Sequence, residues 1–329
     1  MLSRKHPETI ILSLALALAF ALMWILIGNR FIRMGNLQSM AFQLPELGIL
    51  SLAMMVTMLT AGINLSIIAT ANLTGIVTAL ILTQYVTADT SDGAATVIII
   101  LAICAGLLTS ALVGLLNGLL IAKVEVSPIL ATLGTMIFIN GVAIVLTRGY
   151  VISGLPGPVQ FIGNGLVFGI IPMPLLIFIG CAAIMSLILQ RTQLGSNIYM
   201  MGSNPIACYF AGVNNTTVLL KTYLLSSAYA GIAAIIMIAR FNSAKADYGE
   251  SYLLMTILAS VMGGVSAAGG FGRVSGLVIA LVILQIVASG LNLLQVNAFI
   301  TLAIWGLILI AVMVVNFLFA NYQERRQMI

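Results

Sequence analysis

The sequence predicts an all-α integral membrane protein, a bundle of about ten transmembrane helices, and three observations carry that expectation. Of 329 residues, 61% are hydrophobic and only 6% charged, with a mean hydropathy of +1.19. A water-soluble domain of this size would not stay in solution with that composition. Apolar runs of about 20 residues, the length a helix needs to cross a bilayer core, recur from one end of the chain to the other. They do not break into short alternating segments, so barrel strands are excluded, and lipid tolerates no unpaired backbone, which leaves helices.

Taken in order, the expected spans are 10–28, 46–64, 67–87, 94–121, 128–147, 170–190, 216–238, 252–265, 274–291 and 297–319. In the first, Arg4 and Lys5 precede an apolar run containing "ALA" and "AFA", as in a signal peptide. The run lasts from Ile10 to Gly28, longer than a signal core, so it reads as an uncleaved span. With both termini cytoplasmic, the inner links hold Arg4, Lys5, Lys123, Arg191, Lys221, Arg273, Arg325 and Arg326, against Arg30, Arg33, Arg148, Arg240 and Lys245 outside. The positive excess favours this orientation. Glu46, Asp89, Asp92, Asp247 and Glu250 fall in the outer links, leaving the outer face near neutral.

Spans two and three meet at "TAGINLSIIATANLTG", where Asn64, Ser66 and Asn72 interrupt apolar sequence. An asparagine at membrane depth is costly without partners. One reading is a tightly turned helix pair whose amides face a polar pathway; the other is that Asn64 and Ser66 cap a turn at the inner surface. Span four carries Asn117. In "SPILATLGTMIFINGVAIVLTRG", span five, Pro128 follows an inner turn, Asn140 lies deep, and Gly134 with Gly141 would admit a neighbouring helix. Both amides can serve a hydroxylated solute or join helices. The link after span five, 148–169, holds Gly154, Pro156, Gly157, Pro158, Gly163 and Gly165, which suit an irregular loop.

The longest inner link contains "MGSNPIACYFAGVNN", Met201 to Asn215, a helix with its own start and stop. Asn204 can accept the free amide hydrogens of a first turn, Pro205 fits the first helical position, and Gly212 can take the left-handed conformation that ends a helix. About seven residues are too few to span or to be stable alone. The segment therefore packs against its own bundle and the membrane, or docks into a groove on a cytoplasmic partner. Further on, "MGGVSAAGGFGRVSG", 262–276, resembles a phosphate loop in glycine content, but no Gly-Lys pair follows, so a close-packed inner turn is expected.

Several classes are disfavoured. No basic cluster exceeds two residues, so the net charge of +5 reflects topology rather than nucleic-acid binding. Cys104, Cys181 and Cys208 have no metal-ligand spacing, and neither a disulfide nor a metal site is expected. His6 is the lone histidine and no carboxylate is expected mid-span, which leaves an enzyme or a proton relay without its usual groups. "TGIVTALILTQ" (74–84) overlies "SGLVIALVILQ" (275–285) at an offset of 201, an echo that chance explains in so apolar a chain.

Together, "AGINLSI", "LLNGLLIAKVEVSPILATLGTM", "MGSNPIACYFAGVN" and "VMGGVSAAGGFGRVSG" resemble, in order, the signatures of the membrane permeases of bacterial ABC importers for simple sugars, the ribose, xylose and autoinducer-2 type. The resemblance implies a type II importer-like bundle, one permease domain over 1–329, with a cytoplasmic coupling segment at about 191–215. It implies ATPase coupling through Gly202, Asn204, Pro205, Ala207, Tyr209, Gly212 and Val213. A cytoplasmic ABC ATPase carrying ATP and Mg, a periplasmic binding protein and a second permease, like or unlike, are the implied partners, in the inner membrane. No cofactor is expected on this chain. A polar solute would be met by Asn64, Ser66, Asn72, Asn117 and Asn140. The chain departs from the pattern at Asn64, where the family has Asp, and at Ile68, Ser196 and Leu253, which opens the solute class and a paralogue role. Nucleoside, polyol and flavin permeases, an ion-coupled carrier and a structural membrane protein are the alternatives.

Overall fold

A computed structural model describes residues 7–87 and 90–327; Arg4, Lys5, His6 and Asp89 lie outside them. Among the described residues, ten apolar helices correspond one for one to the expected spans: α1 (Pro7–Ile27), α2 (Met34–Met58), α3 (Ile67–Tyr85), α4 (Asp92–Ala122), α5 (Pro128–Thr147), α7 (Met173–Arg191), α10 (Asn215–Phe241), α11 (Tyr252–Met262), α12 (Val274–Leu293) and α13 (Ala298–Gln327). The fold class is all-α membrane. Eight helices are long and apolar enough to cross a bilayer; α11 and the described apolar part of α13 are shorter. At 1.5 Å per residue α11 extends only about 16 Å, so alone it reaches about half the bilayer core.

Close approach of helix backbones joins α4 to α10. On α4, Gly114 lies against Ser227 and Gly118 against Leu220, while Gly231 of α10 lies against Ser110, so these antiparallel helices pack without room for a Cβ between them. The main core lies around α2 instead, where α2, α3, α10, α11 and α12 bury Leu50, Met54, Ile67, Tyr229, Leu258 and Leu277. α1 packs on the outside, against α12, through Met23 and Ile286.

The turns after α2, α4, α7 and α11 gather at one end. There, Thr132 at the start of α5 accepts a hydrogen bond from Leu65 N at 3.1 Å, and Gly270 N donates to Leu59 O at 2.9 Å. At the opposite end β1 (Ile152–Ser153) pairs antiparallel with β4 (Ser243–Ala244), and β2 (Leu166–Val167) with β3 (Ile171–Pro172). The 148–169 link is not the irregular loop expected: α6 (Gly157–Asn164) lies within it. Proline in a first helical turn costs nothing, because that turn's amide hydrogens have no partner inside the helix. Pro156 and Pro158 therefore start this helix. Asn164 Nδ2 ties α6 to Ala239 O and Arg240 O, each at 3.2 Å.

Two charges also sit elsewhere than expected. Glu46 is not in a link: α2 begins at Met34, and Glu46, inside it, is fully buried. Its Oε1 lies 3.0 Å from Nη1 of Arg240 in the last turn of α10, and Tyr252 OH donates to Oε2 at 3.4 Å. The expectation of no carboxylate mid-span therefore fails here, since Glu46 lies at the middle of α2. The pair is tolerable because an ion pair with an added hydrogen bond offsets much of the cost of removing both charges from water.

Candidate functional site

The coupling segment is more elaborate than one short helix. After α7 the chain forms α8 (Gln193–Ser203) and then α9 (Pro205–Phe210), six residues rather than seven. Asn204 Oδ1 accepts from Ile206 N and Ala207 N at 3.0 and 2.9 Å, and Pro205 takes the first position. Gly212 has φ +80°, with its N–H donating to Tyr209 O and that of Val213 to Cys208 O, a paired closure at the helix end. These are the caps the sequence announces. Two more were missed: Thr192 Oγ1 accepts from Gly195 N, and Asn214 Oδ1 from Thr217 N.

Side chains divide α9 into two faces. Cys208 is buried and Asn215 Nδ2 donates to Pro205 O at 2.8 Å, which holds the helix to the start of α10. On the other face Ile206, Tyr209 and Phe210 are exposed, Phe210 by 82%, with the two rings in edge contact at 5.8 Å between centroids, within the spacing aromatic pairs favour. Ala207 is exposed beside them. The result is a small apolar knob at the end of the bundle. Gly202, by contrast, faces inward: a Cβ there would strike Leu59 O and Gly270 N.

The five polar candidates separate into two groups. Asn64, Ser66 and Asn117 are fully buried and form one chain of bonds. Asn117 Nδ2 donates to Ser66 Oγ at 2.8 Å, Ser66 Oγ to Asn64 Oδ1 at 2.8 Å, and Asn64 Nδ2 to Ser226 Oγ at 3.1 Å, which donates on to Ala53 O. This knot fastens the α2–α3 turn to α4 and α10. Ser226 was missed, since its partner lies 162 residues away. Asn117 Oδ1 stays without a partner, as does the hydroxyl of buried Tyr223 beside Gly62.

Asn72 and Asn140 lie toward the other end, under the 242–251 link. Asn72 Nδ2 donates to Ala246 O at 2.7 Å and Tyr248 O at 3.0 Å. Asn140 lines a half-open cavity of about 360 Å³ together with Thr147, Lys245, Asp247 and Glu250, and its buried Oδ1 has no partner. Lys245 Nζ donates to Asp247 Oδ2 at 2.7 Å, and that bond holds Lys245 above the ordinary lysine range. Amide, hydroxyl and carboxylate oxygens outnumber the single ammonium, so the lining offers acceptors to a donor-rich solute. Among the described residues, no three His, Cys, Asp or Glu gather as a metal set.

Residues 36–315 match the family described as branched-chain amino acid transport system / permease component. A ribose import permease protein, RbsC, of Bacillus subtilis (strain 168) is 34% identical over 281 residues, 84% of this chain and 84% of that protein. The ribose import permease protein RbsC of Escherichia coli (strain K12) is 33% identical over 87% of each chain. An autoinducer 2 import system permease protein, LsrD, of Escherichia coli O9:H4 (strain HS) is 30% identical over 86% of this chain and 84% of its own length. No solved structure matches.

Proposed function

This chain belongs to the branched-chain amino acid transport system / permease component family, and from that premise we propose that it forms the membrane pathway of an ATP-driven importer for a monosaccharide or similar polar solute. Relatives named as ribose and autoinducer-2 import permeases support the solute class. ATP and Mg are held by a separate cytoplasmic ATPase, a periplasmic binding protein delivers the solute, and a second permease completes the pathway in the bacterial inner membrane. Both termini lie in the cytoplasm. Among the polar candidates, Asn140 is the group offered to the route directly, and Asn64, Ser66, Asn72 and Asn117 brace the helices around it.

The observation that carries this reading is the α9 knob. A six-residue helix with a side-chain cap at its start and a glycine closure at its end displays Ile206, Tyr209 and Phe210 to the exterior. Exposed aromatics on a pre-formed helix lose little entropy on docking and fit a hydrophobic groove. ATP-driven closure of the partner would then displace α9 and switch the pathway between faces.

The test is co-purification of the ATPase with solute-stimulated ATP hydrolysis in proteoliposomes. Ala207→Asp puts a charge on an exposed position with no cost to the fold, and Gly212→Pro removes both the positive φ and the bond to Tyr209 O. Each variant inserts and loses coupled hydrolysis. Normal coupling in both removes the docking reading, and uptake by the isolated chain without ATP identifies an ion-coupled carrier instead.

A further inference from the structure

Behind the α9 knob, three stretches distant in sequence meet backbone to backbone. Gly202, at the end of α8, has no space for a Cβ between Leu59 O and Gly270 N. Gly270 N donates to Leu59 O at 2.9 Å. A Cβ at Gly269 would lie 2.7 Å from Ala61 N and 2.8 Å from Gly202 O, and one at Gly270 would lie 3.0 Å from Ser203 Cα. Tyr199 OH, one turn before Ser203, donates to Gly272 O at 2.8 Å. Burial raises the Tyr199 phenol above its ordinary range, against the opposing charge of Arg273, so it stays a donor.

We propose that this junction is a rigid transmission joint, through which displacement of the docking helix reaches the α2–α3 turn and the α11–α12 link together. The proposal rests on the docking reading of α9 and adds where its motion goes. Two properties make the joint stiff. Its closest approaches, Gly202 to Leu59 O and Gly270 N and Gly269 to Ala61 N and Gly202 O, are between main-chain atoms, which have no rotamers to absorb a shift. The hydrogen bonds Gly270 to Leu59 and Tyr199 to Gly272 also fix all three stretches to one another, so a push on α8 cannot be taken up locally. Gly269 and Gly270, at φ +86° and +78°, hold conformations that other residues resist, so the link presents this surface only with glycine there.

The joint contacts nothing on the exposed face of α9, so docking and transmission separate experimentally. In the complete importer, Tyr199→Phe removes one bond of the joint at constant volume, and Gly269→Ala forces Ala61 and Gly202 apart. Both variants retain the ATPase at the wild-type level on co-purification. Solute-stimulated ATP hydrolysis falls by about fivefold or more in Gly269→Ala, the lower bound of ordinary allosteric coupling, and measurably in Tyr199→Phe. Spin labels at exposed Ala211 and Ala267 keep one separation with and without a non-hydrolysable ATP analogue.

If Ala207→Asp uncouples while Tyr199→Phe and Gly269→Ala do not, docking stands and the joint is overturned. A nucleotide-dependent change in label separation overturns rigidity whatever the variants do. Loss of the ATPase from Tyr199→Phe would make this face part of the dock and also refute the proposal. If Gly269→Ala does not insert, Tyr199→Phe and the spin labels still decide.

Discussion

The buried pair Glu46–Arg240 makes an asymmetric prediction. Glu46 is entirely enclosed, whereas the Arg240 side chain keeps 20% of its surface exposed. Removing Arg240 with Arg240→Ala leaves a carboxylate in the interior with only the long bond from Tyr252 at 3.4 Å. That is the costly half of a broken buried pair, about 3 to 5 kcal/mol. Removing Glu46 with Glu46→Ala leaves an arginine at the last turn of α10, already over the Phe241 ring at 5.5 Å, free to extend its head toward water. The loss is then about 2 kcal/mol, that of a hydrogen bond to a charged group. The double variant Glu46→Leu/Arg240→Met should recover most of the loss, since an apolar pair of similar volume avoids desolvating two ions. At about 2 °C per kcal/mol for a large domain, Arg240→Ala lowers the thermal midpoint by about 6 to 10 °C and Glu46→Ala by about 4 °C. The assay is the folded fraction of detergent-solubilised protein after heating, read by size-exclusion chromatography. Equal or reversed single losses, or a double variant losing the sum of the two, would refute the reasoning.

Two further outcomes follow from the polar groups. Asn72→Ala removes both side-chain bonds to Ala246 O and Tyr248 O; hydrogen exchange of the 242–251 link should quicken by about tenfold for each 1.4 kcal/mol lost, while the α8–α9 segment is unchanged. Asn117→Leu should destabilise the chain by about 1 to 3 kcal/mol in the same heating assay, because it orphans Ser66 Oγ as an acceptor at a fully buried site; no loss would mean that the knot is not a fastening.

Legibility tracked how local each determinant was. Hydropathy marked all ten apolar helices, since the length of an apolar run is a property of the run alone. It missed the first twelve residues of α2 because Asn36, Gln38, Ser39 and Gln43 read as a link. In space Asn36 Oδ1 accepts from Ser289 Oγ at 2.9 Å and Gln43 Oε1 from Gln285 Nε2 at 3.2 Å, so α12 satisfies them. The α9 caps were readable because each bonds within a few residues of itself. α8 was hidden by Gly195 and Gly202, which look like breakers but mark close backbone approach. α6 was hidden likewise by Pro156 and Pro158, which start it. Glu46 and Arg240 were assigned to water because nothing within either segment names the other. Among the pathway candidates, sequence could supply the amides but not the sorting of Asn64, Ser66 and Asn117 from Asn72 and Asn140, which depends on distant partners: Ser226 of α10 for the first group and the 242–251 link for the second.

Where the joint delivers its load follows from packing. The turn it grips follows α2 and leads into α3, whose apolar stretches are 78% and 72% buried, and the link it grips leads into α12, 61% buried. α5 and α7 are each only 28% buried, and Gly134 and Gly141 of α5 face open space. A close-packed interior shifts as a body rather than deforming, so a displacement entering at Leu59 and Gly270 is carried by the helices with the most neighbours. The Asn64–Ser66–Asn117 knot then matters twice. It sits immediately after Leu59 on the α2–α3 turn and bonds that turn to α4 and α10. Cutting it would let the turn move without α4 and α10, so solute-stimulated hydrolysis should weaken in Asn117→Leu even where the protein stays folded. Unchanged coupling in a folded Asn117→Leu protein would show that the motion leaves the joint by another route, through α11 and α12.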